Sequence, residues 1–145
     1  VHMYPDRDIP VFQISIDAYA PAETHYKIGK ELRTLREKGV LIFGTGNVVH
    51  NLKLVDWHKG SKGFDWAYEF DDYICQNIET KNHNNIIKYN ELGEIAKLAV
   101  PTPDHFYPLL YALGASDEED KVRVFNKSCE LGSLTMTSYL WEKAK

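Results

Sequence analysis

The feature that most constrains the fold is a pair of apolar runs separated by one helix-length segment. Residues 10–17 are rich in β-branched and aromatic side chains and begin with a proline, which is typical of a strand. Residues 40–43 form a second, continuous apolar run. Between the runs, aliphatic side chains recur at helical spacing: Ile28, Leu32 and Leu35. Gly39 stands where a left-handed C-cap belongs, so residues 10–46 predict a strand–helix–strand unit with a parallel, right-handed crossover.

The rest of the chain adds helices and a late pair of strands. A helix is predicted over residues 65–78, with Trp66, Phe70, Tyr73, Ile74 and Ile78 along its apolar face. Its opposite face carries acidic side chains: Glu69, Asp71 and Asp72. Two short helices are expected within residues 86–99, and another helix ends at Gly114. Residues 122–125 and 133–139 alternate as an antiparallel pair, which makes the class α/β with a mixed sheet flanked by helices.

Length and charge exclude several classes of protein. The 145 residues suit a single domain, and the net charge of −4 is spread without long blocks of one sign, so nothing indicates nucleic-acid binding. No apolar stretch reaches the roughly 20 residues that span a bilayer. Cys75 and Cys129 are too few for a disulfide framework and belong to no CxxC pair. We therefore expect a cytoplasmic protein with no membrane partner.

Six histidines are the main chemical resource of the sequence, and four of them have ordinary surroundings. His25 falls one helical turn before Ile28 and is expected to pack at the edge of the core. His2, His58 and His83 lie among terminal or loop residues. We interpret these four histidines as structural or solvated rather than functional.

His50 has a more informative position. It lies just past the C-terminal end of the buried strand predicted at residues 40–43, where α/β proteins usually bind their ligands. Gly44 and Gly46 precede it, but they lack the third glycine of a dinucleotide motif and the Gly-Lys-Ser/Thr of a phosphate loop. Small residues let backbone approach a ligand, and a neutral imidazole exchanges protons near physiological pH. His50 therefore suits a general base.

His105 lies in the first turn of the helix that ends at Gly114, or just before it. A helix N-terminus disfavours an imidazolium and so favours the neutral ring that binds a divalent metal. One histidine does not make a metal site, however, and the sequence holds no HxxxH, HExxH or HxD pair to complete one.

Four stretches taken together carry a family resemblance: residues 3–17, 39–52, 101–110 and 132–136. In order and spacing the chain resembles the class III extradiol ring-cleavage dioxygenases of the DOPA-dioxygenase type. The resemblance implies a three-layer α/β/α fold and insertion of both atoms of O2 into a catechol, with non-haem Fe(II), or zinc as a substitute, as cofactor. His50 matches the family's proton-transferring histidine, and His105 matches a metal ligand. Asn47, on the same loop as His50, is a candidate for the wall of the substrate pocket.

The chain differs from members of the family in its length. Chains of this family are roughly twice as long, and residues 1–145 correspond to their C-terminal half as one domain. The other metal ligands belong to the N-terminal half, and His2 and His25 do not match their motifs. The expected partners are therefore a catechol, O2 and the missing half or another chain. Apolar surface left exposed by the missing half favours oligomerisation.

Two other functions stay open at this stage. The chain could be a non-catalytic binding or scaffold module derived from the same fold, or an inactive truncated half. A hydrolase with His50 as base is disfavoured, because no nucleophile motif surrounds Ser15 or Cys75.

Overall fold

The computed structural model describes residues 4–143, so His2 lies outside the described residues. Five helices are α1 (Ala22–Arg36), α2 (Asp65–Glu79), α3 (His83–Ile87), α4 (Glu94–Ala99) and α5 (Tyr107–Ala115). The strands are β1 (Asp120–Phe125), β2 (Cys129–Glu130), β3 (Leu134–Thr135) and β4 (Ser138–Lys143). Short 3-10 turns cover Leu52–Leu54, Tyr89–Leu92 and Pro103–His105. The mixture of helices and small sheets agrees with the predicted α/β class.

The strands form two antiparallel pairs rather than one hairpin. β1 pairs with β4 from Asp120 opposite Lys143 to Phe125 opposite Ser138. The two-residue strands β2 and β3 pair with each other. The predicted strand over residues 133–139 is therefore divided, because its first part pairs with β2 and its last part with β1.

Neither of the two apolar runs that opened the sequence analysis is a strand of a sheet within residues 4–143. Val11 is 87% exposed, Phe12 70% and Phe43 70%. The prediction of a buried parallel pair is wrong for the described residues, because a strand is defined by a hydrogen-bonded neighbour and none lies beside these segments. What remains are two apolar segments with mostly exposed side chains, residues 10–16 and 40–43, which together we call the open face.

The helix between these runs was predicted correctly, and it packs closely on α5. α1 ends near Gly39, whose φ of +79° fits a left-handed cap. Gly29 of α1 and Gly114 of α5 face each other so closely that a Cβ on either would collide with the backbone of the other helix. Ile28, which was expected in the core, is exposed instead, because the close glycine contact turns α1 so that His25 and Gly29 are buried.

His25 is fully buried, and both of its ring nitrogens are used. Nε2 lies 3.0 Å from the backbone carbonyl of Asp17, which can only accept a hydrogen bond, so Nε2 carries the proton. Nδ1 then accepts from the Tyr111 hydroxyl, also at 3.0 Å. This histidine fixes the end of the first apolar run to α1 and α5, which agrees with the structural interpretation.

Helix α2 supplies the centre of the core with the buried side chains of Ala67, Phe70, Ile74 and Ile78. The prediction that Asp71 lies on the solvent face is wrong, since this carboxyl is only 3% exposed and faces the segment that follows β3. Cys75 and Cys129 are buried free thiols, and burial raises the pKa of each. Within the described part of the chain, every helix is too short or too polar to cross a membrane.

A bidentate ion pair joins α1 to β1. Two nitrogens of the Arg36 guanidinium donate to the Asp120 carboxylate at 2.6 and 3.0 Å, and the Asp117 N–H donates to the same carboxylate at 2.7 Å. Burial alone would raise the pKa of Asp120, but the hydrogen bonds from Arg36 and Asp117 outweigh burial and lower it. The ion pair thus ties the helical layer to the first strand.

Asp120→Asn should lower the free energy of unfolding by about 3 kcal/mol at pH 7, because it leaves the half-buried Arg36 without a counter-charge. The pKa of Asp120 is lower in the folded chain than in the unfolded one. Its contribution is therefore complete above the unfolded pKa of about 3.9 and is lost as pH falls through the folded pKa. Denaturant unfolding of both proteins between pH 7 and pH 2.5 measures the effect. The control, Glu23→Gln in the exposed pair with Lys27, should leave stability nearly unchanged, and a difference for Asp120→Asn that persists undiminished at the lowest pH would contradict the assignment.

Candidate active site

Residues 44–51 form a loop whose first half lies against the start of α5. Gly46 approaches the His105 carbonyl so closely that a Cβ at Gly46 would collide with it, and Gly44 approaches the Pro108 carbonyl in the same way. The Asn47 N–H donates to the His105 carbonyl at 2.9 Å. The two glycines noted in the sequence therefore serve close backbone packing.

The second half of the loop is hydrogen-bonded to β3. The Val49 N–H donates to the Thr135 hydroxyl, and the Thr135 N–H donates to the Val49 carbonyl, both at 3.1 Å. Asn51 and Ser133 exchange two more bonds, of 3.1 and 2.8 Å. On the other side of the loop, the His50 N–H donates to the Ala99 carbonyl at 2.9 Å. The backbone around His50 is thus held from both sides.

This arrangement brings together the two histidines that were predicted separately. The rings of His50 and His105 stack in parallel, with centroids 3.6 Å apart and an angle of 5° between planes. Burial lowers the pKa of His50, and the charge of a protonated His105 would lower it further. The stacked pair therefore favours a neutral His50 ring, which is the form able to accept a proton.

Asp104 orients the ring of His105. The carboxylate lies 2.7 Å from Nδ1 of His105, and its own pKa is lowered, first by a hydrogen bond from Thr102. Since an ionised carboxylate can only accept, Nδ1 carries a proton, and in the neutral ring Nε2 keeps a free lone pair. A histidine fixed in this way by a carboxylate is the usual form of a metal-ligating histidine. His105 lies in a 3-10 turn just before α5, and the charged group in contact with its ring is Asp104.

Asn47, predicted as pocket wall, uses its side-chain amide for structure. Nδ2 donates to the Thr135 carbonyl at 2.8 Å, which leaves its contact with substrate a prediction. Sequence reasoning missed Asp104 as the partner of the His105 ring and Thr135 as the residue that binds Asn47 and Val49 of the loop. A signal existed for both, because Asp104 directly precedes His105 and Thr135 lies in the stretch 132–136 that carried the family resemblance.

Among the described residues, the site holds one candidate metal ligand, His105. Across residues 4–143 no group of three or more His, Cys, Asp or Glu side chains converges as a metal site would require. His83 is half-buried, and its Nδ1 lies 2.9 Å from the Tyr26 hydroxyl, whereas His58 lies in an exposed turn. Neither contributes to the pair, as expected.

Comparison with known proteins identifies the family. The family model described as the catalytic LigB subunit of aromatic ring-opening dioxygenase matches residues 1–140. The chain belongs to this family. Among curated members, the 4,5-DOPA dioxygenase extradiol of Escherichia coli (strain K12) is 40% identical over 141 residues, which cover 95% of this chain and 52% of that protein. The 4,5-DOPA dioxygenase extradiol of Beta vulgaris is 36% identical over 138 residues, or 94% of this chain and 51% of that protein.

A solved structure shows the same fold. The crystal structure of an uncharacterized protein from Escherichia coli K12 superposes with a TM-score of 0.86 at 40% identity. The match covers 94% of this chain and 57% of that one. The chain therefore spans about half the length of the curated relatives it matches.

Gly46→Ala should separate the two halves of the site. The added methyl group collides with the His105 backbone, so the loop must move away and the Asn47 bond and the His50–His105 stack are lost, at a cost of about 1–3 kcal/mol. Denaturant unfolding together with NMR of the histidine ring protons measures both effects. Thr45→Ala, an exposed neighbour in the same loop, is the control. Wild-type stability and ring shifts in Gly46→Ala would disprove the close contact as the element that positions His50.

Proposed function

We propose that this chain carries the proton-transferring half of an extradiol dioxygenase that cleaves the ring of a catechol. The observation that carries the proposal is the stacked pair of His50 and His105, in a member of the ring-opening dioxygenase family. Two of the relatives named above are 4,5-DOPA dioxygenases, which supports a dihydroxyphenyl compound as substrate and O2 as co-substrate.

We propose His105 as a ligand of Fe(II), for which zinc can substitute. The ring fits this role because Asp104 fixes the proton on Nδ1 and leaves Nε2 free. Bound iron would supply the activation of O2 and catechol that no side chain can provide. Three protein ligands are needed for such a site, so we expect the remaining ligands to come from polypeptide beyond the described residues.

His50 is proposed as the general base. A catechol hydroxyl bound beside the pair would give its proton to the neutral imidazole, and the same ring would later return a proton to the product. Stacking holds the ring planes of His50 and His105 parallel. The proton-accepting His50 ring therefore stays at a fixed distance from the proposed metal ligand, His105. Asn47, whose amide is bound to Thr135, is proposed to shape the pocket wall on the same loop.

We propose that the site is completed by further polypeptide that covers the open face, whether it is continuous with this chain or separate from it. The relatives are about twice as long, and the open face exposes aromatic and aliphatic side chains on segments that pair with no strand among residues 4–143. Such a strip is what an added strand would pair with and bury. In the absence of that polypeptide, the same face should drive self-association.

A matched pair of substitutions tests the two histidine roles in the assembled enzyme. His50→Ala should leave bound iron nearly unchanged but lower the rate of ring cleavage by about 100-fold or more, the usual scale for loss of a general base. His105→Ala should lower bound iron and activity together, because it removes a ligand. Metal analysis and a spectrophotometric cleavage assay distinguish them. Unaltered turnover in His50→Ala, or wild-type iron content in His105→Ala, would refute the corresponding role.

A second test concerns the open face. The isolated chain should self-associate, and Phe12→Ser combined with Phe43→Ser should weaken that association by about tenfold or more, because two exposed phenyl groups are removed. Sedimentation velocity over a concentration series measures the change. Tyr19→Ser, which removes a 99% exposed aromatic ring outside the open face, is the control. A wild-type chain that remains monomeric at the highest concentration would refute the expected self-association through the open face.

A further inference from the structure

Asp71 is a buried acid that the proposed chemistry does not use. Its Oδ2 accepts a 2.7 Å hydrogen bond from the Thr137 hydroxyl, and its Oδ1 is buried with no hydrogen-bond partner among residues 4–143. The nearby cation, Lys127, is paired with Asp72 at 2.8 Å on the surface rather than with Asp71. A buried carboxyl that is only half satisfied costs free energy, so stability alone does not account for it.

The partner of Asp71 belongs to the segment that holds the active-site loop. Thr137 follows β3, and Thr135 of β3 makes three bonds to the loop: from Asn47 Nδ2, from the Val49 N–H and to the Val49 carbonyl. Burial raises the pKa of Asp71, and the hydrogen bond from Thr137 opposes that effect. Thr137 lies two residues after Thr135, and Thr135 binds Val49, which directly precedes His50.

The hydrogen bond between Thr137 and Asp71 also fixes β3 relative to α2. β3 is only two residues long and pairs with the equally short β2, so its ladder bonds alone hold its position weakly. The buried bond from Thr137 to Asp71 adds an attachment to a fifteen-residue helix in the core. A polar bond in a buried setting is directional, and it specifies one position of the segment where apolar contact would permit several.

We infer that Asp71 is a positioning residue: through Thr137 and Thr135 it sets the position of the loop 47–51 and so keeps His50 stacked on His105. The consequence for catalysis rests on the proposed function, but the structural effect does not. Asp71 touches neither histidine, and its role is exerted through the threonines.

NMR of histidine-labelled protein tests the structural effect directly. Parallel rings 3.6 Å apart shield each other, so the ring protons of His50 and His105 should be displaced upfield. Asp71→Leu and Thr137→Val should abolish most of this displacement and speed exchange of the Val49 amide by about tenfold relative to wild type. Asp71→Asn and Thr137→Ser keep an acceptor and a hydroxyl respectively, and both should restore the wild-type shifts.

Ser116→Ala is the control for a general loss of stability. It removes a buried 2.7 Å bond to the Leu113 carbonyl at the far end of α5 and should leave the histidine shifts in place. In the assembled enzyme, Thr137→Val should lower kcat by about tenfold or more with KM nearly unchanged, because the base is misplaced rather than the substrate site lost. Wild-type histidine shifts in folded Thr137→Val or Asp71→Leu would overturn the inference. Failure of ring cleavage in the wild-type enzyme would refute the proposed function and leave the NMR result standing.

Discussion

The arrangement of the site depends on the backbone hydrogen bonds that hold residues 47–51 between two distant parts of the chain. On one side the loop bonds to the carbonyls of Ala99 and His105, and on the other it bonds to Ser133 and Thr135. Loop backbone held on both sides loses the freedom that loops usually keep. The short strand β3, the turn before α5 and buried polar side chains each supply some of these hydrogen bonds.

Most helices could be predicted because their signals are local. The periodic apolar residues and Gly39 gave α1, and the apolar face gave α2 to within one residue of its end. The runs at residues 10–17 and 40–43 were predicted as strands from composition, but a strand also needs a neighbour, and no signal within the run says where that neighbour lies. Asp71 was misplaced for a related reason: its burial depends on Thr137, 66 residues away.

The two histidines could be found one at a time, from the end of an apolar run and from the start of a helix. Their parallel contact could not, because it requires Gly46 to lie against the His105 backbone, a meeting of segments about sixty residues apart. The family resemblance supplied what local patterns lacked, since it joined four separated stretches into one site. It also indicated that the relatives are longer, as the comparison shows.

The burial of the two cysteines affects how readily their sulfur atoms are oxidised. The thiolate, rather than the neutral thiol, is the form that oxidants attack. Burial raises the pKa of both Cys75 and Cys129 and so keeps each as an uncharged thiol out of contact with solvent. Irreversible sulfur oxidation at these positions must therefore wait for the surrounding core to open. Among the sulfur-containing side chains of residues 4–143, oxidative damage would begin at Met136, which is 39% exposed and lies beside Asn47.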